Sequence, residues 1–345
     1  MCSFRRVCVS TVSRALPTDY RFGRQYVRIE SDDLEFGLRF RRIFSDCLEA
    51  DRQDGVSPDF LARLDRGATT PWVTLEIRGP ASPPVDADIL PALQPELGLV
   101  ELAPSAQGRR FARAQGHPVA VVEPDCLRLH ESLPWQILAA HFLVHHMLRM
   151  QDDLFCLHAA TVEMYGRAVL LCGDKGAGKS TLSLTLAGRG HGFLGDEVAV
   201  IDPKARSCIP FQRSVSLRPG PLGRSAAESL RSHPHDEERL PDGTVRVRAP
   251  MSTLFPAALG SETPLQSAFF LRGFGPAPLA ERFDFSFADV ARLQPLYASM
   301  SRVPGQRALE LMRLFASIPC YWLTAGGTPD ATAELIEITL ERIWA

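Results

Sequence analysis

The sequence predicts an α/β protein in two parts: a smaller β-rich N-terminal domain over residues 1–131 and a larger α/β domain over 154–345, joined by a helix over 132–153. Three observations predict this division. Alternating apolar and polar residues, punctuated by Pro and Gly, run through the first 130 positions. A helical apolar pattern then begins at Ser132. Beyond it, a short apolar run passes directly into a glycine-rich loop and a second helical pattern.

The 345 residues exceed one average domain, and 45% hydrophobic with 23% charged residues is the balance of a globular chain with a sizeable core. Lys and Arg total 38 against 40 Asp and Glu, a net charge of -2. Such a balance generates no field that recruits nucleic acid or anionic membrane, so neither is expected as a partner. The longest apolar candidate, 137–148, is interrupted by His141, His145 and His146 and falls short of the roughly 18 apolar residues of a membrane span. Cys2, Cys8, Cys47, Cys126, Cys156, Cys172, Cys208 and Cys320 form no CxxC pair, which predicts reduced thiols and a cytoplasmic protein.

In the N-terminal part, 26–30, 72–77 and 119–122 alternate as strands do, while 56–64 suits a short helix. Prolines crowd 80–84 and 91–95 and exclude long helices there. The first 18 residues carry Arg5, Arg6 and Arg14 without an acid and read as a mobile tail. Ser132 and Pro134 suit the first turn of the joining helix, whose apolar residues include Ile137, Leu138, Phe142, Val144, Met147 and Leu148.

Two strands are expected at 155–164 and 168–172, separated by Tyr165-Gly166-Arg167, a length suited to a hairpin turn. After the glycine loop a helix is expected over 181–188. Further strands are predicted at 198–201, 215–217, 245–247 and 268–271, and helices at 287–300, 306–315 and 330–343. The polar stretch 219–242 reads as loop.

The loop Gly173-Asp174-Lys175-Gly176-Ala177-Gly178-Lys179-Ser180 satisfies GxxxxGK[ST] in full. Glycines let the backbone curl so that several N–H groups point at phosphate oxygens, and the helix starting near Lys179 and Thr181 adds its positive dipole end. Lys179 can neutralise the β- and γ-phosphates of ATP, and the Ser180 hydroxyl can ligate the bridging Mg²⁺. Soon after the helix come Gly195-Asp196-Glu197, where two carboxylates can divide two tasks, holding metal and accepting a proton from an attacking hydroxyl. Adjacent strand residues face opposite ways unless a bulge at Gly195 turns them.

Together, Leu157-His158-Ala159-Ala160, the P-loop, Arg189-Gly190-His191 and Gly195-Asp196-Glu197 resemble the HPr kinase/phosphorylase family, and more closely its kinase-only relatives in peptide-tailoring pathways. The resemblance covers roughly residues 155–203. It implies a P-loop kinase core of the HPr kinase / phosphoenolpyruvate carboxykinase type. It also implies an enzyme, an Mg-ATP-dependent serine kinase that transfers the γ-phosphoryl group to a seryl hydroxyl of a peptide or small protein, with a homo-oligomer as its form. On the matching positions, Asp196 is the base, Glu197 with Ser180 and Asp196 forms the metal set, and His158 approaches the transferred phosphate. Weaker similarity runs from Pro210 and Phe211 through Arg213 to Leu217-Arg218-Pro219, and Arg218 joins the nucleotide-binding candidates. Glu197 stands where the bifunctional enzymes have Asp, and their glycine- and asparagine-bearing signature is missing downstream, so phosphorylase activity is not expected. The alternatives are an ATP-binding sensing or scaffold module without catalysis, and a kinase of free serine or another metabolite.

His141 and His145 have an i, i+4 spacing but lie among core-like residues without the Glu of HExxH, so no metal is assigned to them. His233 and His235 read as solvated loop residues, with closure of that loop over substrate as the alternative, and Arg213, Arg246 and Arg248 could stabilise transferred phosphate but read first as surface cations.

Overall fold

The structure, a computed structural model, describes residues 15–49, 57–67, 70–79, 101–104, 110–114, 117–123, 126–217, 228, 230–239, 243, 245–289, 291, 293 and 305–344. It is mixed α/β and divides into two compact units. One comprises Met1–Tyr20, Tyr26–Arg41 and Ala50–Phe142, the other Arg21–Gln25, Arg42–Glu49 and Leu143–Ala345.

The first unit holds most of β1 (Ala15–Phe22), β2 (Gln25–Ser31) and α1 (Leu34–Ile43), and all of β3 (Phe60–Arg66), β4 (Trp72–Arg78), β5 (Glu101–Pro104), β6 (Arg110–Ala114), β7 (His117–Val122) and β8 (Cys126–His130). The strands form an eight-stranded sheet in the order β1-β2-β3-β4-β8-β7-β6-β5. β2 and β3 pair in parallel, which needs a crossover, and α1 lies in it. Asp33 starts that helix by accepting the Phe36 N–H at 2.7 Å. Phe36 and Phe40, one turn apart, are buried, with Phe40 edge-on to Tyr20 and Phe36 stacked on Trp135. Phe60, Ala62 and Leu64 of β3 and Val73, Leu75 and Ile77 of β4 are buried, while most of the residues between them are part-exposed or exposed. The stretch 56–64, expected to be helical, is therefore strand from Phe60 onward, because its burial has period two. Residues 15–18 of the expected tail begin β1. Residues 1–14 and the proline-rich segments 80–84 and 91–95 lie outside the described residues.

Over the stretch expected to be the joining helix lies α2 (Trp135–Arg149). The second unit continues with β9 (Phe155–Leu157), β10 (Ala159–Met164), β11 (Arg167–Cys172), α3 (Lys179–Gly188), β12 (Gly192–Gly195), β13 (Ala199–Asp202), β14 (Ser207–Ile209), β15 (Val215–Leu217), β16 (Asp236–Arg239), β17 (Val245–Ala249), β18 (Thr263–Gly275), β19 (Leu279–Phe283), α4 (Gly305–Ala316), β20 (Cys320–Gly326) and α5 (Pro329–Trp344). Its main sheet runs β12-β10-β11-β18-β14-β13-β9, with β20 against β18 and β19 against β20. β15, β17 and β16 form a small antiparallel sheet.

Both faces of the main sheet are covered. Leu170 and Cys172 of β11, with Ala268 and Phe270 of β18, pack with Leu311, Leu314 and Phe315 of α4. Val169, Leu171, Phe269 and Leu271 pack with Leu182 and Leu186 of α3 and with Ala333, Ile336 and Leu340 of α5. Two-sided burial explains why residues 168–172 are apolar without alternation. Each such side chain contributes roughly 1.5–3 kcal/mol of transfer free energy. Six cysteines, Cys47, Cys126, Cys156, Cys172, Cys208 and Cys320, are buried free thiols, and burial pushes Cys172 up to about 12.

Three further expectations are corrected. The segment 155–164 is not one strand: it breaks at His158, with β9 pairing β13 and β10 pairing β11 and β12. Within 219–242, Asp236–Arg239 is strand β16, its Asp-Glu-Glu-Arg sequence concealing an edge paired to β17. Of 287–300, Phe287–Asp289 is a 3₁₀ turn, Ala291 and Leu293 are helical as expected, and 290, 292 and 294–300 lie outside the described residues.

Candidate active site

The glycine loop leaves the carboxyl end of β11, which lies parallel to β18 with Cys172 opposite Phe270. Ligands in sheets of this kind bind beyond such carboxyl ends. Gly173 has φ +155°, and a Cβ there would lie 3.1 Å from both Cβ and the carbonyl oxygen of Leu271. The loop therefore crosses β18 at a distance only glycine permits. Gly176 and Gly178 also have positive φ, +88° and +99°, and Gly178 caps the amino end of α3 without a side-chain bond. Asp174 and Lys175 are exposed on the loop, Ala177 is half-buried, and Thr181 lies in the first turn of α3.

Lys179 is buried, and its Nζ donates to the carbonyl oxygens of Gly173 at 2.7 Å and Asp174 at 3.1 Å. Burial lowers its pKa, opposed chiefly by the negative field of Asp196. The ammonium is thus held at the mouth of the loop by weak dipolar partners that an anion can replace.

Asp196 and Glu197 occupy the turn between β12 and β13. The pairing irregularity expected at Gly195 lies beside it on β12: the consecutive Thr161 and Val162 of β10 pair with Gly195 and Phe193, which leaves Leu194 as the extra residue. A Cβ on Gly195 would meet the carbonyl oxygens of Val198 at 2.8 Å and Phe211 at 3.0 Å, so the chain is pressed into this turn from two sides. Asp196 is only 2% exposed, and its Oδ1 has no hydrogen-bond partner among the described residues. Burial, reinforced by Glu197, pushes its carboxyl up to about 7 against the opposing effects of a Ser180 hydrogen bond, Arg213 and Lys179.

Glu197 accepts a hydrogen bond from Arg213 Nη1 at 2.5 Å, and its carbonyl oxygen lies 3.1 Å from His158 Nδ1. The break between β9 and β10 is what aims His158 at this turn. Burial first, then the Lys179 charge, lowers the His158 pKa and favours neutral imidazole.

The structure thus brings together Lys179, Ser180, Asp196, Glu197 and His158. Arg218 lies outside the described residues. Arg213 and Arg248, expected on the surface, are buried instead, at 7% and 5% exposure. Arg213 packs over the Phe44 ring and pairs with Glu197, while Arg248 faces Glu238 at 3.5 Å. Position 213 precedes β15 in the stretch of weaker resemblance, and its pairing with Glu197, sixteen positions earlier, is what distinguishes it from a surface cation.

No family model matches the chain. A stretch of 62 residues is 45% identical to an HPr kinase/phosphorylase of Pelodictyon phaeoclathratiforme, covering 17% of this chain and 19% of that protein. That stretch is HPr-kinase-like. An HPr kinase/phosphorylase of Chlorobium phaeobacteroides is 39% identical over 80 residues, 23% of this chain and 24% of its own length. Another, from Treponema pallidum, is 37% identical over 91 residues, 25% of each chain. The chain spans about a fifth to a quarter of the length of these HPr kinase relatives. The solved HPr(Ser) kinase/phosphatase from Coxiella burnetii aligns with 55% of this chain and 99% of its own at a TM-score of 0.29 and 13% identity. The HPr-kinase-like resemblance read from the motifs names the same family as these relatives. Among the described residues, no helix is long and apolar enough to cross a membrane.

Proposed function

We propose that the second unit is a P-loop kinase that transfers the γ-phosphoryl group of ATP to a seryl hydroxyl of a peptide or small protein. The carrying observation is Asp196, a buried carboxyl pushed up to about 7 that is hydrogen-bonded by Ser180 at the head of a GxxxxGKS loop. Burial raises the basicity of that carboxyl, the direction a general base needs.

In this reading the backbone of Gly173 to Gly178 holds the phosphates, and Lys179 releases its loop carbonyls to bind the β- and γ-oxygens. Ser180, Asp196 and Glu197 form an all-oxygen donor set of the kind Mg²⁺ takes, and the unpartnered Oδ1 of Asp196 fits it. Bound there, Mg²⁺ neutralises charge on the transferring group. Asp196 accepts the seryl proton as the seryl oxygen bonds to the γ-phosphorus and the bond to the β,γ-bridging oxygen breaks, with ADP leaving. Arg213 positions Glu197 through its ion pair, and neutral His158 orients the same turn through the Glu197 carbonyl. The β-rich N-terminal unit is assigned an accessory role.

The test is transfer from γ-labelled ATP with Mg²⁺ to candidate serine-bearing peptides, with Lys179→Ala as control. Label on serine that is absent from the control is the expected result. Label on free serine without any peptide assigns a metabolite kinase instead. ATP binding without transfer to any acceptor leaves a sensing module.

A further inference from the structure

One aromatic ring beside the glycine loop has no part in the chemistry above. Phe274 is 53% exposed, an unusual position for a phenyl group at the centre of a main sheet. A methyl group placed on Gly178 would sit 3.6 Å from its Cζ and 3.7 Å from its Cε1, so the ring lies against the last glycine of the loop. β18 carries it there by continuing past the end of β11, whose last pair is Cys172 with Phe270, as far as Gly275.

The strand is also irregular at this point. Phe269 and Leu271 face α3, whereas Ala268 and Phe270 face α4. Uninterrupted alternation would send residue 274 to the α4 side. The register against β20 shifts between Leu271 and Gly273, and Gly273 has φ +135°. This extra residue resets the alternation and turns Phe274 toward the loop that feeds α3. Bulges that aim a side chain in this way are frequent beside active sites. Arg272 is tied back to Thr324 Oγ1 at 3.1 Å and to Glu281, so it does not cover the ring.

We infer that Phe274 is the platform on which the base of a nucleoside triphosphate stacks when its phosphates occupy the glycine loop. This rests on the nucleotide-binding reading above. The loop fixes the phosphate end, and a half-exposed aromatic ring about one methyl group's distance from that loop is the surface a planar base next meets. Stacking needs no particular hydrogen-bond pattern, so purine triphosphates should bind with little discrimination.

The experiment compares the Kd of Mg-ATP, Mg-GTP and inorganic tripolyphosphate for the full chain and for Phe274→Ala and Phe274→Trp. The platform predicts that Phe274→Ala weakens ATP and GTP on the order of ten-fold while tripolyphosphate stays within about two-fold, and that Phe274→Trp restores purine binding. Equal weakening of ATP and tripolyphosphate would make the ring a prop for the loop and overturn the inference. So would unchanged ATP affinity in Phe274→Ala. Parental protein that binds neither ATP nor tripolyphosphate removes the nucleotide-binding reading, and the platform with it.

Discussion

The ten-residue helix α3 has two ends built from the same kinds of side chain and arranged in opposite ways. At its amino end, Lys179 and Asp196 are buried and incompletely partnered, and burial pushes each toward its uncharged form. Past its carboxyl end, Arg189 clamps Glu337 of α5 with bonds of 2.8 and 2.5 Å, and His191 Nε2 lies 2.9 Å from the same carboxylate. There the shifts reverse: Arg189 is raised and Glu337 lowered, each principally by the hydrogen bond between them. One end holds charge at a cost in stability, whereas the other lets charge contribute to it. Strained electrostatics of the first kind are where a ligand has most to gain by binding.

The largest difference between the ends should appear in turnover. Asp196→Asn is expected to lower phosphoryl transfer by roughly 10²–10⁴-fold with ATP affinity retained, measured by single-turnover assay and calorimetric titration. Parental rates in this variant would remove the base assignment. Lys179→Ala should cost on the order of 10²–10³-fold and weaken ATP binding as well.

In stability the sign reverses. The Asp196 carboxyl titrates higher in the folded protein than in the unfolded chain, so its neutral form favours folding. That contribution is complete below about pH 4 and disappears as pH rises through about 7. Asp196→Asn, neutral throughout, should therefore stabilise the protein at pH 8 by up to about 4 kcal/mol and by much less at pH 5. Urea melts at the two pH values check this, and equal effects would mean that the carboxyl is not held neutral.

Gly195→Ala presses a methyl onto two carbonyl oxygens and should cost roughly 1–3 kcal/mol, read as a drop in urea midpoint. Gly190 has φ +94° but open space around it, so Gly190→Ala should cost about 1–2 kcal/mol through backbone strain alone. The smallest effect belongs to the carboxyl end. Glu337→Gln should cost up to about 1 kcal/mol at pH 7 with unchanged transfer rate. Because the Glu337 pKa is depressed, this contribution is present above the unfolded carboxylate value and vanishes as pH falls through the folded one. A larger loss at pH 3 than at pH 7 would contradict it.

What the sequence makes legible follows from how local each constraint is. The glycine loop can be read because its spacing is fixed by backbone geometry, and β11 because burial on two faces leaves an unbroken apolar run. The acidic pair after α3 is legible as a position, but not the burial of Asp196, whose turn is approached at Gly195 by the carbonyls of the later Val198 and Phe211. The burial and pairing of Arg213 are illegible for the same reason, since its partner and its cover are distant in sequence. α1 escapes notice because Arg39, Arg41, Arg42 and Gly37 dilute its apolar face, leaving Phe36 and Phe40 to carry it. β16 escapes because its charges belong to an edge strand.

The buried thiols have a consequence of their own. Cys172, Cys208 and Cys320 share one core cluster with Leu170, Phe270 and Phe315, and none has measurable access to solvent. Burial holds them protonated, so an alkylating reagent finds no thiolate while the sheet is closed. Their modification rate is accordingly a clock for opening of the second unit, readable peptide by peptide in a mass spectrometer. A bound nucleotide that stabilises the closed sheet will slow that clock, reporting occupancy without any assay of catalysis.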